Sequence, residues 1–217
     1  MLSALAEHGA GGDGFFELTE APTALLLGLG LDPEDPAAAL ARLEAQDPRL
    51  RTLFEPMFGV TLTPTMTSAS TKINVIPSRA QVRVDCRVPP GLGEEAVQRR
   101  ITQVLGDPSD QLRFEFTEQV IGNGSPVESP LMSAIDAWIG EQDPGATGVP
   151  MILAGFSDSR WFREAFPDCV AYGFFPQRHQ TMLEATPLMH NADERIDVRD
   201  LGFATGFYRD IIIELLG

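Results

Sequence analysis

Residues 59–105 read GVTLTPTMTSASTKINVIPSRAQVRVDCRVPPGLGEEAVQRRITQVL and pass from a two-residue to a helical period within one segment. VTLTPTMT is β-branched and alternating, and AQVRVDCRV alternates apolar with polar side chains over nine residues, so each predicts a half-buried strand. Pro89, Pro90 and Gly91 end the second strand. Residues 94–105 carry apolar positions at helical spacing, and residues 111–118, QLRFEFTE, alternate again. Strand, strand, helix, strand is the order of the last four elements of a split βαββαβ unit, a ferredoxin-like arrangement. Its opening strand and helix are expected to precede residue 1, apart from a helix tail at residues 1–9, MLSALAEHG, with Leu2, Leu5 and Ala6 on one face.

Upstream of this unit the chain reads as a helical, loop-rich arm. Residues 9–14 are a glycine-rich break, 18–30 a short apolar helix candidate, and 35–45 (DPAAALARLEA) a firmer helix with Asp35 as N-cap and Pro36 in the first turn. Downstream, GNGSPVESP at 122–130 is a turn-rich linker. It leads to a helix at 131–140, apolar strands at 149–155 (VPMILAG) and 169–175 (CVAYGFF), and a final helix at 198–215. That order predicts the terminal half of an α/β sandwich. The expected division is a partial lid with helical insertion over 1–120 and the C-terminal part of a second domain over 121–217.

Composition narrows the function. The 217 residues hold 31 acidic against 16 basic side chains, a formal charge of −15, which repels phosphate backbones and anionic lipid surfaces. Neither nucleic acid nor membrane is an expected partner. No apolar run approaches the ~20 residues of a membrane span, and the N-terminus lacks a basic region before an apolar core, so a cytoplasmic location is expected. Cys86 and Cys169 are read as reduced thiols, with a disulfide between them as the alternative.

Three clusters hold residue types that could carry chemistry. His190 follows the apolar pair Leu188-Met189 and precedes Asn191, Asp193, Glu194 and Arg195 just before the last helix, where α/β proteins place active-site loops. Taken alone, it reads as a surface histidine, as His8 and His179 do, and Asp197 and Asp200 read as ordinary first-turn helix carboxylates. GFSDSR, residues 155–160, lies at the C-terminal end of an expected strand. Arg160 could grip a carboxylate there, or Ser157 or Asp158 could simply cap a helix. In TKINVIP, residues 71–77, Asn74 could hold an amide or carboxylate or serve a turn, while Asp85 and Arg87 share a strand face and can pair.

Taken in order, NVIPSRAQVRVDCRVPPG, GFSDSRWF, YGFFP and HNADERI before a final helix resemble the C-terminal portion of the zinc metallopeptidases and amidohydrolases that include aminoacylases, acetylornithine deacetylase, succinyl-diaminopimelate desuccinylase and carboxypeptidase G. The resemblance runs from about residue 59 to residue 216. It implies a ferredoxin-like lid that dimerises, set into an α/β catalytic domain holding two zinc ions or another divalent metal. Its substrates would be small peptides or N-acyl amino acids with a free carboxylate. His190 matches the C-terminal metal-ligand histidine, Asn74 and Arg87 match lid residues that bind substrate, and Asp158 and Arg160 match the loop lining the substrate pocket.

The departures matter equally. Ser68-Ala69-Ser70 stands where the family has paired glycines. The family's His-x-Asp motif, bridging aspartate, lid histidine and catalytic Glu-Glu pair have no counterpart here, and Glu94-Glu95 sits in the first turn of the lid helix, where acidic residues suit the helix dipole. With the general-base glutamate missing, no catalytic residue is assigned. The expectation is a fragment that is inactive in isolation. The alternatives are a non-catalytic dimerising or carboxylate-binding module, and a regulatory ferredoxin-like domain joined to an unrelated α/β half.

Overall fold

A computed structural model describes residues 2–9, 14–106, 112–117, 122–153 and 155–217. Its helices are α1 (Glu20–Gly28), α2 (Pro36–Gln46), α3 (Pro48–Phe54), α4 (Glu94–Leu105), α5 (Pro130–Gln142), α6 (Ser159–Ala165), α7 (Met182–Ala185) and α8 (Val198–Leu216). Strands β1 (Thr61–Ser68) and β2 (Gln81–Arg87) pair antiparallel, from Thr61 opposite Arg87 to Ser68 opposite Gln81. The register slips between Pro64 and Met66. Proline has no N–H to give to a ladder, so the irregularity falls where the sequence can least sustain pairing. The result is an α+β arrangement with a small two-stranded sheet.

One face of that sheet is covered by α4. Leu62, Val60, Ala96 and Val97 are buried together, with Val82, Val84 and Cys86 packed against them from alternate positions of β2. Partial burial pushes the Cys86 thiol pKa up, which keeps this half-buried group in its thiol form. Arg100 on α4 is 1% exposed. It donates through Nε to the Val60 carbonyl at 3.2 Å and through its terminal nitrogen to the His8 carbonyl at 2.6 Å, with its guanidinium 5.4 Å from the Phe15 ring centroid. This side chain ties the N-terminal turn, the strand entry and the helix into one unit.

The arm builds its own core from Leu25, Leu26, Leu40, Leu43, Phe54, Met57 and Phe58. Asp35 caps α2 as expected, accepting from the Ala38 N–H at 3.0 Å. The sequence reading stopped one helix short. Asp47-Pro48 starts α3, and Asp47 accepts from the Arg49 amide at 2.9 Å while Arg49 lowers its pKa to about 2. Val149 and Ile152 pack onto this arm core, so the arm buttresses the downstream half as well as preceding the sheet.

The downstream half centres on α5 and α8, with Ile135, Trp138, Phe207 and Ile211 buried and Tyr172, Phe174 and Phe203 against them. Trp138 stacks at 5.0–5.1 Å from Phe203 and Phe207 and donates its indole N–H to Asp210 at 3.1 Å. Residues 122–129 are strapped to this half: Arg163 donates to the Asn123 side chain and the Ala171 carbonyl, both at 2.8 Å, and Ser125 bridges the Ala171 backbone.

Three expected strands are corrected. The described parts of 111–118 and 149–155, and all of 169–175, belong to no sheet; among the described residues the sheet is β1 and β2 alone. Alternating or apolar patterning fits a strand, but a strand exists only where a neighbour accepts its ladder. Leu153, Phe114, Phe116 and Phe175 accordingly stay exposed. Among the described residues no helix is long and apolar enough to cross a membrane. Cys86 and Cys169 are both free thiols.

Leu40 is fully buried in the arm core, whereas Leu27 is 60% exposed. In urea unfolding, Leu40→Ala is expected to cost about 2–5 kcal/mol and Leu27→Ala less than about 0.5 kcal/mol.

Candidate functional site

The five candidate residues fall into two groups. Asn74 and Arg87 belong to the hairpin and both are exposed. Asn74 lies in the turn-rich loop between β1 and β2, among Ile73 and Ile76, whose side chains stand fully in solvent. Arg87 closes β2 and donates to Asp85 at 2.7 Å on the shared strand face. Among the described residues, no hydrogen bond, ion pair or ring contact links either to Asp158, Arg160 or His190.

Asp158 and Arg160 sit at the start of α6. Asp158 occupies the N-cap position, yet its carboxylate does not cap the helix. Ser157 instead accepts the Ser159 N–H at 3.3 Å, which leaves the Asp158 side chain exposed. Arg160 is far from solvated. Its guanidinium lies 4.7 Å from the Trp161 ring centroid and 5.8 Å from that of Phe156, with only a long 3.8 Å approach to Glu164. Its Nε is buried with no hydrogen-bond partner among the described residues. A buried cationic donor without an acceptor costs about 1–3 kcal/mol or more.

His190 is exposed and stands at φ +60°, among the described residues the single non-glycine position in the left-handed region. Flanking hydrogen bonds enforce the turn: the Asn191 N–H donates to the Leu188 carbonyl at 3.2 Å, and the Glu194 N–H to the Asn191 carbonyl at 3.1 Å. The Asn191 side chain accepts the Ala192 N–H at 2.7 Å. His190 is therefore presented at a turn apex, in a conformation that disfavours side chains with a Cβ.

Asp200 was read as an ordinary helix-start carboxylate, and its position says otherwise. It is 0% exposed and accepts the backbone N–H groups of Arg178 at 2.7 Å and His179 at 2.9 Å. Arg178 itself reaches Asp143 and the Gln142 carbonyl at the end of α5 and lies 4.3 Å from the Phe203 ring centroid. The sequence signal for Asp200 was weak, because an acidic residue in a first helical turn is commonplace.

Zinc requires several nitrogen, sulfur or carboxylate donors converging on one point. Among the described residues no three of His, Cys, Asp and Glu do so. The described residues therefore do not by themselves complete a metal centre.

Residues 29–112 match the model of a peptidase dimerisation domain, a span that takes in α2, α3, the hairpin and α4. The chain is 30% identical over 148 residues to succinyl-diaminopimelate desuccinylase of Hydrogenovibrio crunogenus, covering 66% of this chain and 35% of that enzyme. Over residues 29–112 the chain is similar to that dimerisation domain. It spans about a third of the length of the curated relative it matches. No solved structure matches it.

Burial alone pushes the Asp200 pKa up, but the amides of Arg178 and His179 outweigh it and hold the group below the ordinary aspartate value. A carboxylate depressed in the folded state stabilises above its unfolded pKa, and that contribution is lost as pH falls through the lower folded value. In an NMR titration from pH 6 to pH 2, the Arg178 and His179 amide shifts are expected to hold down to about pH 3.9, the ordinary aspartate value, and to move only below it. Movement centred above that value would show that the carboxylate is not gripped.

Proposed function

We propose that this chain is the C-terminal portion of a zinc-dependent metallopeptidase or amidohydrolase that hydrolyses amide bonds of small peptides or N-acyl amino acids, and that it is inactive in isolation. In this reading residues 1–120 are a partial lid with a helical insertion, and residues 121–217 belong to the catalytic domain. The dimerisation-domain match supports a homodimer formed through the lid.

The observation that carries the reading is His190. An exposed imidazole, held at a left-handed apex and hydrogen-bonded to nothing among the described residues, is costly to build and of no evident use to the fold. Its proposed role is metal ligand. When bound, zinc would activate water and polarise the scissile carbonyl. The remaining donors and the general-base glutamate lie outside the described constellation, so a lone imidazole holds zinc only weakly.

The chain's other candidates would act on substrate. Arg160, stacked against Trp161 with a buried unpaired Nε, would take the substrate carboxylate, with Asp158 shaping the same loop. Asn74 and Arg87, carried on the hairpin, would approach from the lid. Arg87 would share its guanidinium with Asp85, which holds the fork in place without neutralising every donor.

A second reading rests on the same orphan nitrogen. Arg160 could bind carboxylates with no metal involved, as a dimerising module derived from such an enzyme would. The two readings separate with EDTA. The metallohydrolase reading expects carboxylate binding by the native protein to weaken when zinc is stripped, while the module reading expects it unchanged.

Replacing His190 by glycine removes the imidazole and relieves the left-handed backbone. His190→Gly is expected to raise stability by up to about 1 kcal/mol in urea unfolding while abolishing zinc-induced shifts of the histidine ring signals. In a zinc-supplemented hydrolysis assay the purified chain is expected to show no turnover of N-acyl amino acids; measurable chelator-sensitive turnover would overturn the claim of inactivity.

A further inference from the structure

The segment holding His190 begins and ends at the same carboxylate. Residues 178–180 leave the downstream core, the chain runs out through α7 and the His190 turn, and it returns at Asp197 to enter α8. Asp200, in the first turn of α8, accepts the Arg178 N–H across 22 residues of sequence and the His179 N–H across 21. Both feet of the loop therefore stand on one buried group.

Each foot is also braced independently. On the outgoing side, Arg178 donates to Asp143 and the Gln142 carbonyl of the α5 terminus, and Glu184 accepts the Thr181 N–H at 2.8 Å to start α7. On the returning side, Asp197 accepts the Arg199 N–H at 2.9 Å, and the Asp200 N–H donates to the Asp197 carbonyl at 3.0 Å. Between the feet, 181–196 has no buried residue. Leu183, Ala185 and Leu188 are only half-buried, and beyond the base the loop has, among the described residues, one hydrogen bond to the arm, from Arg49 to the Leu183 carbonyl at 3.5 Å, so its order rests chiefly on its base.

We propose that Asp200 is the positioning residue for His190: its buried carboxylate closes the base of the 178–200 loop and sets where the imidazole stands. The functional meaning rests on the reading of His190 as a metal ligand, whereas the latch itself does not. Asp200 touches no substrate and no metal. Closing the loop ahead of ligand binding removes the ordering cost that an open loop would meet at that moment.

Hydrogen exchange followed by NMR tests this on the intact chain. In the wild type, the amides of Arg178, His179, Asn191 and Glu194 are expected to exchange through one shared opening, with the same denaturant dependence. Unprotected Asn191 and Glu194 amides beside protected Arg178 and His179 amides would overturn the proposal without any variant. Asp200→Ala is expected to speed exchange of all four at least tenfold while α4 amides stay unchanged, and Asp200→Asn, which keeps one acceptor oxygen, to recover part of that loss. An Asp200→Ala variant in which Asn191 and Glu194 keep wild-type exchange would also overturn it. Zinc chloride added to the same wild-type sample reports separately on the His190 ring signals. Unmoved ring signals alongside shared opening would sink the ligand assignment and leave the latch standing.

Discussion

A carboxylate removed from water is tolerated only where donors surround it, and Asp200 meets that condition by turning two backbone amides of a distant segment toward itself. The downstream half depends on that exchange. Asp200 ties the first turn of α8 to residues 178–179, and α8 supplies Phe207 and Ile211 to the aromatic core against α5. The same contact brings Arg178 over Phe203 and onto the end of α5. One buried charge thereby links α8 to the end of α5 through Arg178 and holds the base of the loop that displays His190.

The upstream half follows a parallel logic with the opposite charge. Arg100 is buried beneath the hairpin and spends its guanidinium on backbone carbonyls of two separate segments. The arm core joins the halves, because Val149 and Ile152 pack onto the same leucines as α1 and α2. The candidate substrate residues stand outside these cores, on the hairpin and at the start of α6. Of these, Asn74, Arg87 and Asp158 are exposed, while Arg160 is partly buried beside Trp161.

Much of this was legible in the residues. Alternation marked β1 and β2, the Asp35-Pro36 pair marked α2, and apolar spacing marked α4, α5 and α8 within a few residues. What escaped was decided by tertiary partners. Asp47-Pro48 carries the same start signal as Asp35-Pro36, but it follows directly on the end of a helix, where a second start is easily passed over. Apolar runs at 149–153 and 169–175 have strand composition, yet pairing is a property of two segments, and no neighbour lies beside them among the described residues. Asp200 and Arg100 look like surface charges on a helical wheel until the backbone groups they bind are in view. Of the candidate site, His190 was legible through motif order, while its left-handed backbone and the orphaned Nε of Arg160 required coordinates.

The central claim is that His190 is a metal ligand displayed by a loop built for that purpose. Anomalous diffraction at the zinc edge, from crystals of the chain equilibrated with excess zinc chloride, tests it most directly. The account predicts a zinc peak about 2.0–2.1 Å from a His190 ring nitrogen, with the loop base still closed on Asp200. A zinc ion bound elsewhere, with the His190 ring turned to solvent, would contradict it.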